Sequence, residues 1–238
     1  MLTLLFAAVS LLYATVGQAG GTGFLALMAF ASFPSNEMRP TALLLNVIAA
    51  TYSTWLFNRR GFVNWAKLRP LVLASLPTAL VGGFIVLNEH IYDVLTGVVL
   101  LTAAAILVFR RTRNGEPDQT TPLWGAIVIG AVVGFVSSLT GVGGGVFLAP
   151  ILIALHWASP KQTAAQSPPF ILANSVVGLA GALYSGQVPS GQTWLYAIGA
   201  FAGAIVGTVV GLRWLSQAAT RYVLATILGA AGLQLLIF

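Results

Sequence analysis

The chain has 238 residues, of which 58% are hydrophobic and 7% charged, with 11 Lys and Arg against 5 Asp and Glu. A soluble domain carries roughly a quarter of its residues charged, so this composition, at a mean hydropathy of +0.91, describes an integral membrane protein with little mass outside the bilayer. The absence of Cys removes disulfides, thiolate metal sites and thiol nucleophiles, and the net charge of +6 lies beside apolar spans, where it orients a membrane protein rather than binding nucleic acid.

The first apolar run, Leu2 to Val16, has no Lys or Arg before it, unlike a secretory leader. A similar run recurs at 123–140, so both read as structure. The stretch Gly17-Gln18-Ala19-Gly20-Gly21-Thr22-Gly23 then interrupts the chain. After it come a short apolar stretch at 24–33 and longer ones at 42–57, 70–87 and 91–109. A polar linker at 110–122 follows. Beyond it the order repeats: 123–140, the break Gly141-Val142-Gly143-Gly144-Gly145, a short stretch at 146–157, and longer ones at 170–184, 194–212 and 222–238. A membrane-spanning helix takes about 20 residues, so the long stretches suit spans and the two short ones suit half-helices or re-entrant segments.

The halves, 1–109 and 123–238, align loosely. Gly17, Gly20 and Gly21 match Gly141, Gly144 and Gly145; Asn46 matches Asn174, Trp65 matches Trp194, and Gly82 matches Gly207. If each helix–break–helix unit crosses the membrane, the halves are parallel. If it turns back, they are inverted. A parallel arrangement puts Arg39, Lys161, Arg213 and Arg221 outside, whereas an inverted one leaves only Arg39 there. Positive charge collects on the cytoplasmic side, so the expected fold is an all-α polytopic membrane protein of two inverted-topology repeats. Each repeat is a glycine-broken helix hairpin followed by three transmembrane helices, and 110–122 is a cytoplasmic linker.

A helix broken inside the bilayer leaves backbone groups unpaired at several kcal/mol each, unless protein or a wet cavity receives them. Interrupted segments at corresponding places in two halves point to a transporter's binding site. Helix N-termini carry roughly half a positive charge, so two facing breaks would cradle an anion. The candidate binding residues are Gln18, Gly20, Gly21 and Thr22 at the first break and Thr140, Gly143, Gly144 and Gly145 at the second. Asn46, Gln166, Ser167 and Asn174 on the following helices extend the set. The competing reading for the glycines is close helix packing, and for the amides and hydroxyls interhelical hydrogen bonding. Gly199, Gly203, Gly207 and Gly211, four residues apart, form a packing ridge, through which a homodimer is one expectation.

The run Gly141-Val142-Gly143-Gly144-Gly145 with Pro150, its echo at Gly17–Gly23, and Thr163-Ala164-Ala165-Gln166-Ser167 resemble the sulfite exporter TauE/SafE family over nearly the whole chain. The second copy matches the pattern well, with Gln166 where the family commonly has Thr; the first departs, with Ala19 at a glycine position and Ala26 at the proline position. The resemblance implies a plasma-membrane permease for sulfite, sulfonates or related organic anions.

Glu37, Glu89, Asp93, Glu116 and Asp118 all lie in or beside loops, so no mid-span carboxylate is available as a proton relay. A negative interior drives anions out at about 2.3 kcal/mol per charge per 100 mV, which favours export. The expected partners are a small anionic substrate and the lipid bilayer, with no cofactor, no metal and no catalytic site. An anion channel and a non-transporting membrane subunit remain alternatives at this point.

Overall fold

The computed structural model describes residues 1–109, 121–211, 226, 228–230 and 232–237. Arg110, Arg111, Arg113, Arg213 and Arg221 therefore lie outside the described residues, as does most of the linker. The described elements are α1 (Leu2–Thr15), α2 (Gly21–Phe30), α3 (Ser35–Arg59), α4 (Trp65–Phe84), α5 (Glu89–Phe109), α6 (Leu123–Thr140), α7 (Gly145–Ala154), α8 (Pro160–Tyr184) and α9 (Thr193–Gly211). Residues 228–230 and 232–237 are also helical. Among the described residues five helices, α3, α5, α6, α8 and α9, are long and apolar enough to cross a membrane.

Local chemistry sets the boundaries. Ser159 and Gln162 form a reciprocal capping box that starts α8, and Asn64 caps α4 by accepting from the Lys67 N–H, each satisfying N–H groups that a first turn leaves free. Gly141 ends α6 at φ 89°, and Gly20 and Gly144 start α2 and α7 at φ 117° and 81°, left-handed values that suit glycine. The expectation of two short apolar helices, each after a glycine break, holds at α2 and α7.

Helix directions follow from which residues meet. The α carbons of Gly199, Gly203, Gly207 and Gly211 lie against the carbonyls of Thr3, Ala7, Leu11 and Thr15 in turn, so α1 and α9 run side by side in the same direction. Gly130 lies against Leu71, Gly134 against Ser75, and Gly82 against Phe135, so α4 and α6 also run together. Thr41 meets Thr193 at 3.4 Å, and Ser53 meets Thr208 at 2.8 Å, which makes α3 parallel to α9. Gly83 and Gly181 pack at the ends of α4 and α8. Taken together, α1, α3 and α9 start at one face of the bundle, and α4, α6 and α8 start at the other. Helix α2 returns from the first break to the face where α1 began, and α7 does the same for α6.

Each packed pair recurs with the halves exchanged. Gly203 on Ala7 corresponds to Thr78, whose hydroxyl donates to the Ala131 carbonyl at 2.7 Å. Gly207 on Leu11 corresponds to Gly82 on Phe135, and Ser53 with Thr208 corresponds to Gly178 with Gly83. Among the described residues, even the two non-glycine ones with positive φ, Ser32 at 54° and His156 at 56°, stand at equivalent places after α2 and α7.

This register corrects one expectation. Gly21 lies against Asn46 and Val142, while Gly145 lies against Ile171 and Gln18. The counterpart of Asn46 is thus Ile171, each the same number of residues into a 25-residue helix, and Asn174 falls a turn further on. The glycine ridge of α9 is filled by the backbone of α1 in the same chain.

Apolar packing completes the bundle. Phe6, Tyr13, Phe24, Leu25, Met28 and Tyr196 form part of a buried cluster joining α1, α2 and α9, with Phe6 stacked on Tyr196 at 4.6 Å between centroids. Leu68, Leu71, Val133, Leu148 and Trp157 do the same for α4, α6 and α7. A methyl or larger group on the ridge meets backbone that cannot swing aside, at about 1–3 kcal/mol. Gly207→Val should lower the midpoint of thermal unfolding in detergent by roughly 2–12 °C. Gly191→Ala, where added atoms meet nothing within 4 Å, should leave the midpoint unchanged.

Candidate substrate site at the paired glycine breaks

The two breaks touch. Gln18 reaches across and donates from Nε2 to the Gly145 carbonyl at 3.1 Å, and Gly21 rests on the Val142 carbonyl. The contact sits beside Asn46 and Ile171, at the middle of α3 and α8. Glycine is required here because a Cβ on Gly21 would overlap the Val142 backbone, and one on Gly143 would stand 2.6 Å from Asn46 Nδ2.

Polar side chains of the first half complete the tip of α6. The carbonyls of Leu139, Thr140 and Gly141 accept from Arg39 Nη1 at 3.5 Å, Tyr92 Oη at 2.9 Å and Asn46 Nδ2 at 3.2 Å. The tip of α1 instead closes on itself, with Val16, Gly17 and Gln18 donating to Tyr13 and Ala14 carbonyls. With glycine at both N-cap positions, no capping side chain covers the first N–H groups of α2 or α7.

The expected site residues divide into two groups. Gln18, Gly20, Gly21, Asn46, Gly143, Gly144 and Gly145 belong to the two breaks and their contact, although Phe24 covers Gly20 and Phe170 covers Gly144. Thr22, Thr140, Ser167 and Asn174 spend their side chains locally. Thr22 Oγ1 bonds Tyr13 Oη at 2.7 Å. The other three donate to carbonyls four residues back, of Val136, Thr163 and Phe170, as hydroxyls and amides in helices commonly do. Gln166 is buried in α8.

Asn46 Oδ1 and Asn174 Oδ1 are buried acceptors without a partner. Each such group costs about 1–3 kcal/mol and marks a place where a polar solute or water would be welcome.

Sequence reading missed the cavity beside this contact. At the face where α3 begins, a cavity of about 560 Å³ is bordered by Pro34, Ser35, Asn36, Arg39, Glu89 and Tyr92, among others from the 86–89 and 185–188 loops. Arg39 and Tyr92 are its deepest residues, 1% and 4% exposed, and both bond the α6 tip. The cavity therefore ends against the second break. At the opposite face, Lys67 Nζ donates to the Trp157 carbonyl at 3.1 Å, and the Trp157 ring packs over Gly125.

The model of the family described as "Sulfite exporter TauE/SafE" matches residues 2–235. The chain belongs to the TauE/SafE family. Its relatives include "Probable membrane transporter protein y4hK" of Sinorhizobium fredii, 36% identical over 99% of this chain and 97% of that one. "Probable membrane transporter protein YunE" of Bacillus subtilis is 25% identical over 72% and 68% of the two chains, and "Probable membrane transporter protein MJ0441" of Methanocaldococcus jannaschii 27% identical over 83% and 78%. No solved structure matches it. As a TauE/SafE protein with several apolar spanning helices, the chain is a multi-pass membrane transporter, and the residues around its two breaks are read in that light.

Gly145→Ala should lower the unfolding midpoint more than Gln18→Ala does. The first sets a Cβ against the ends of the Gln18 and Ile171 side chains, at about 1–3 kcal/mol; the second removes one hydrogen bond, at about 1 kcal/mol. The double variant should lose less than the sum, since both changes act on one contact, and thermal melts of the four proteins measure that coupling.

Proposed function

We propose that this protein is a secondary transporter that moves small sulfur-containing anions, such as sulfite or a sulfonate, across the plasma membrane by alternating access about the paired breaks, with net export. The observation that carries the reading is the meeting of two uncapped helix starts at the middle of α3 and α8. Free N–H groups with the positive ends of two helix dipoles suit a negatively charged solute. The opposite directions of α1 and α6, and of α3 and α8, support inverted repeats, the arrangement in which one hairpin tilts against the other about a fixed centre.

Charge supports the orientation. Arg59, Arg60, Lys67, Arg69 and Lys161 gather at the face where α3 ends and α4 and α8 begin, whereas Glu37, Glu89 and Asp93 stand at the face where α3 and α5 begin. The cationic face belongs inside by the positive-inside rule, so the cavity opens outward and the structure corresponds to an outward-facing state. The close fit of Gly21 on Val142 and of Gln18 on Gly145 favours a carrier over a continuous pore.

Proteoliposomes test this directly. Purified protein should accumulate labelled substrate by counterflow from at least one of sulfite, thiosulfate, sulfoacetate or sulfate, and a potential negative on the cytoplasmic side should speed exit without a pH gradient. Saturating counterflow excludes a channel. Movement that requires a pH gradient at zero potential would overturn uncoupled export. Gly21→Leu should abolish counterflow in folded protein, and normal flux in that variant would remove the breaks from the transport path.

A further inference from the structure

The cavity holds one feature that the paired breaks do not explain. Arg39 is 1% exposed in an apolar bundle, and among the described residues no carboxylate pairs with it. Its Nη1 and Nη2 donate to the carbonyls of Gly82, Gly83 and Ile85 at 3.3, 2.8 and 2.7 Å, and more weakly to Leu139 at 3.5 Å. Its Nε–H has no partner. A buried cation without a counterion is costly. Neutral carbonyls at the end of α4 offset part of that cost through the helix dipole, but they leave the positive charge itself unneutralised.

The register makes this residue stand out. In the exchange of halves Gly141 on Arg39 corresponds to Gly17 on Ala164, so the guanidinium has no cationic counterpart in the second half. Capping the end of α4 does not require a cation at the bottom of an open cavity. The surroundings fit an anionic visitor: Tyr92 lies beside Arg39, Asn36 borders the same space, and Gln187 contributes an amide whose Oε1 is buried without a partner. An amide turned about its axis presents N–H donors instead. Glu89 also borders the cavity, but it is exposed, so its charge is screened by water and salt while that of Arg39 is not.

We propose that Arg39 is an anion-binding residue that makes this cavity an outer subsite, where an oxyanion docks before it reaches the glycine breaks. The inference rests on the transport reading for its physiological role, but anion binding at the cavity can be measured separately. A guanidinium with its Nε–H unspent suits a sulfonate, sulfite or carboxylate oxygen through a charge-assisted bond, and Pro34, Val86 and Val188 on the same walls would cover a short apolar body.

The test uses full-length protein with sulfoacetate, sulfite and acetate as probes. Arg39→Gln should raise the KM for counterflow at least tenfold, with maximal flux changed by less than about threefold. Because that variant also loses the α4 cap, Asn36→Asp and Gln187→Glu supply the deciding comparison. Both add negative charge to the cavity wall without touching the bonds of Arg39, and each should raise KM at least fivefold in protein whose unfolding midpoint is unchanged. Unchanged KM in both wall variants, with active wild type, overturns the subsite and leaves the transport reading intact. If wild type moves none of the probes, stabilisation against heat by sulfoacetate decides. Stabilisation of wild type but not of the wall variants upholds the subsite and sets aside the transport reading; no stabilisation of wild type overturns the subsite.

Discussion

A helix that stops inside an apolar slab leaves its last carbonyls and the next helix's first N–H groups without partners, and the cost of each is several kcal/mol. Here that constraint joins the two halves of the chain. The α6 tip is satisfied by Asn46, Tyr92 and Arg39 from the first half, and the second break in turn receives Gln18. The glycines at the contact let backbone meet backbone, and the long helices α3 and α8 cross behind it as supports.

This arrangement separates close-packed helix pairs from a sparsely bonded contact. The pairs α1 with α9 and α4 with α6 are locked by glycine and small residues against carbonyls. The contact between breaks rests on few bonds, and its helix starts lack side-chain caps. On the proposed reading, an anionic solute there competes with a small number of neutral contacts rather than with a packed core. Differential affinity for two arrangements of the hairpins is what a transport cycle needs.

The broad architecture was legible because its signals are strong in composition: long apolar runs, two clustered glycine breaks, and a cationic excess on one side. The positions of α2 and α7 followed from their breaks. Exact equivalence was harder. Asn46 and Asn174 look like partners because both are amides in corresponding helices, yet packing pairs Asn46 with Ile171, and type similarity is a weak guide to register where one face is apolar and the other close-packed. Arg39 was read as a flanking cation because it lies near the start of an apolar run. Its burial depends on α4 ending beside it and on the α6 tip arriving from a remote part of the sequence, which local pattern does not contain. The hydroxyls of Thr140 and Ser167 bond their own helix, an option always open to such residues and one that residue type alone does not reveal.

The exchange of partners between halves also bears on how the molecule comes into being. Helix α1 is made well before α9, yet the groove it fills belongs to α9, and Ser10 finds its acceptor at Ala200, 190 residues downstream. Until most of the chain is inserted, the early hairpin has neither its groove nor the opposing tip. Assembly of the membrane-embedded fold is therefore dominated by late, long-range docking, the regime in which folding is slow and intermediates expose surfaces meant for a partner. A newly made first half waits, half-buried, for the segments that will close it.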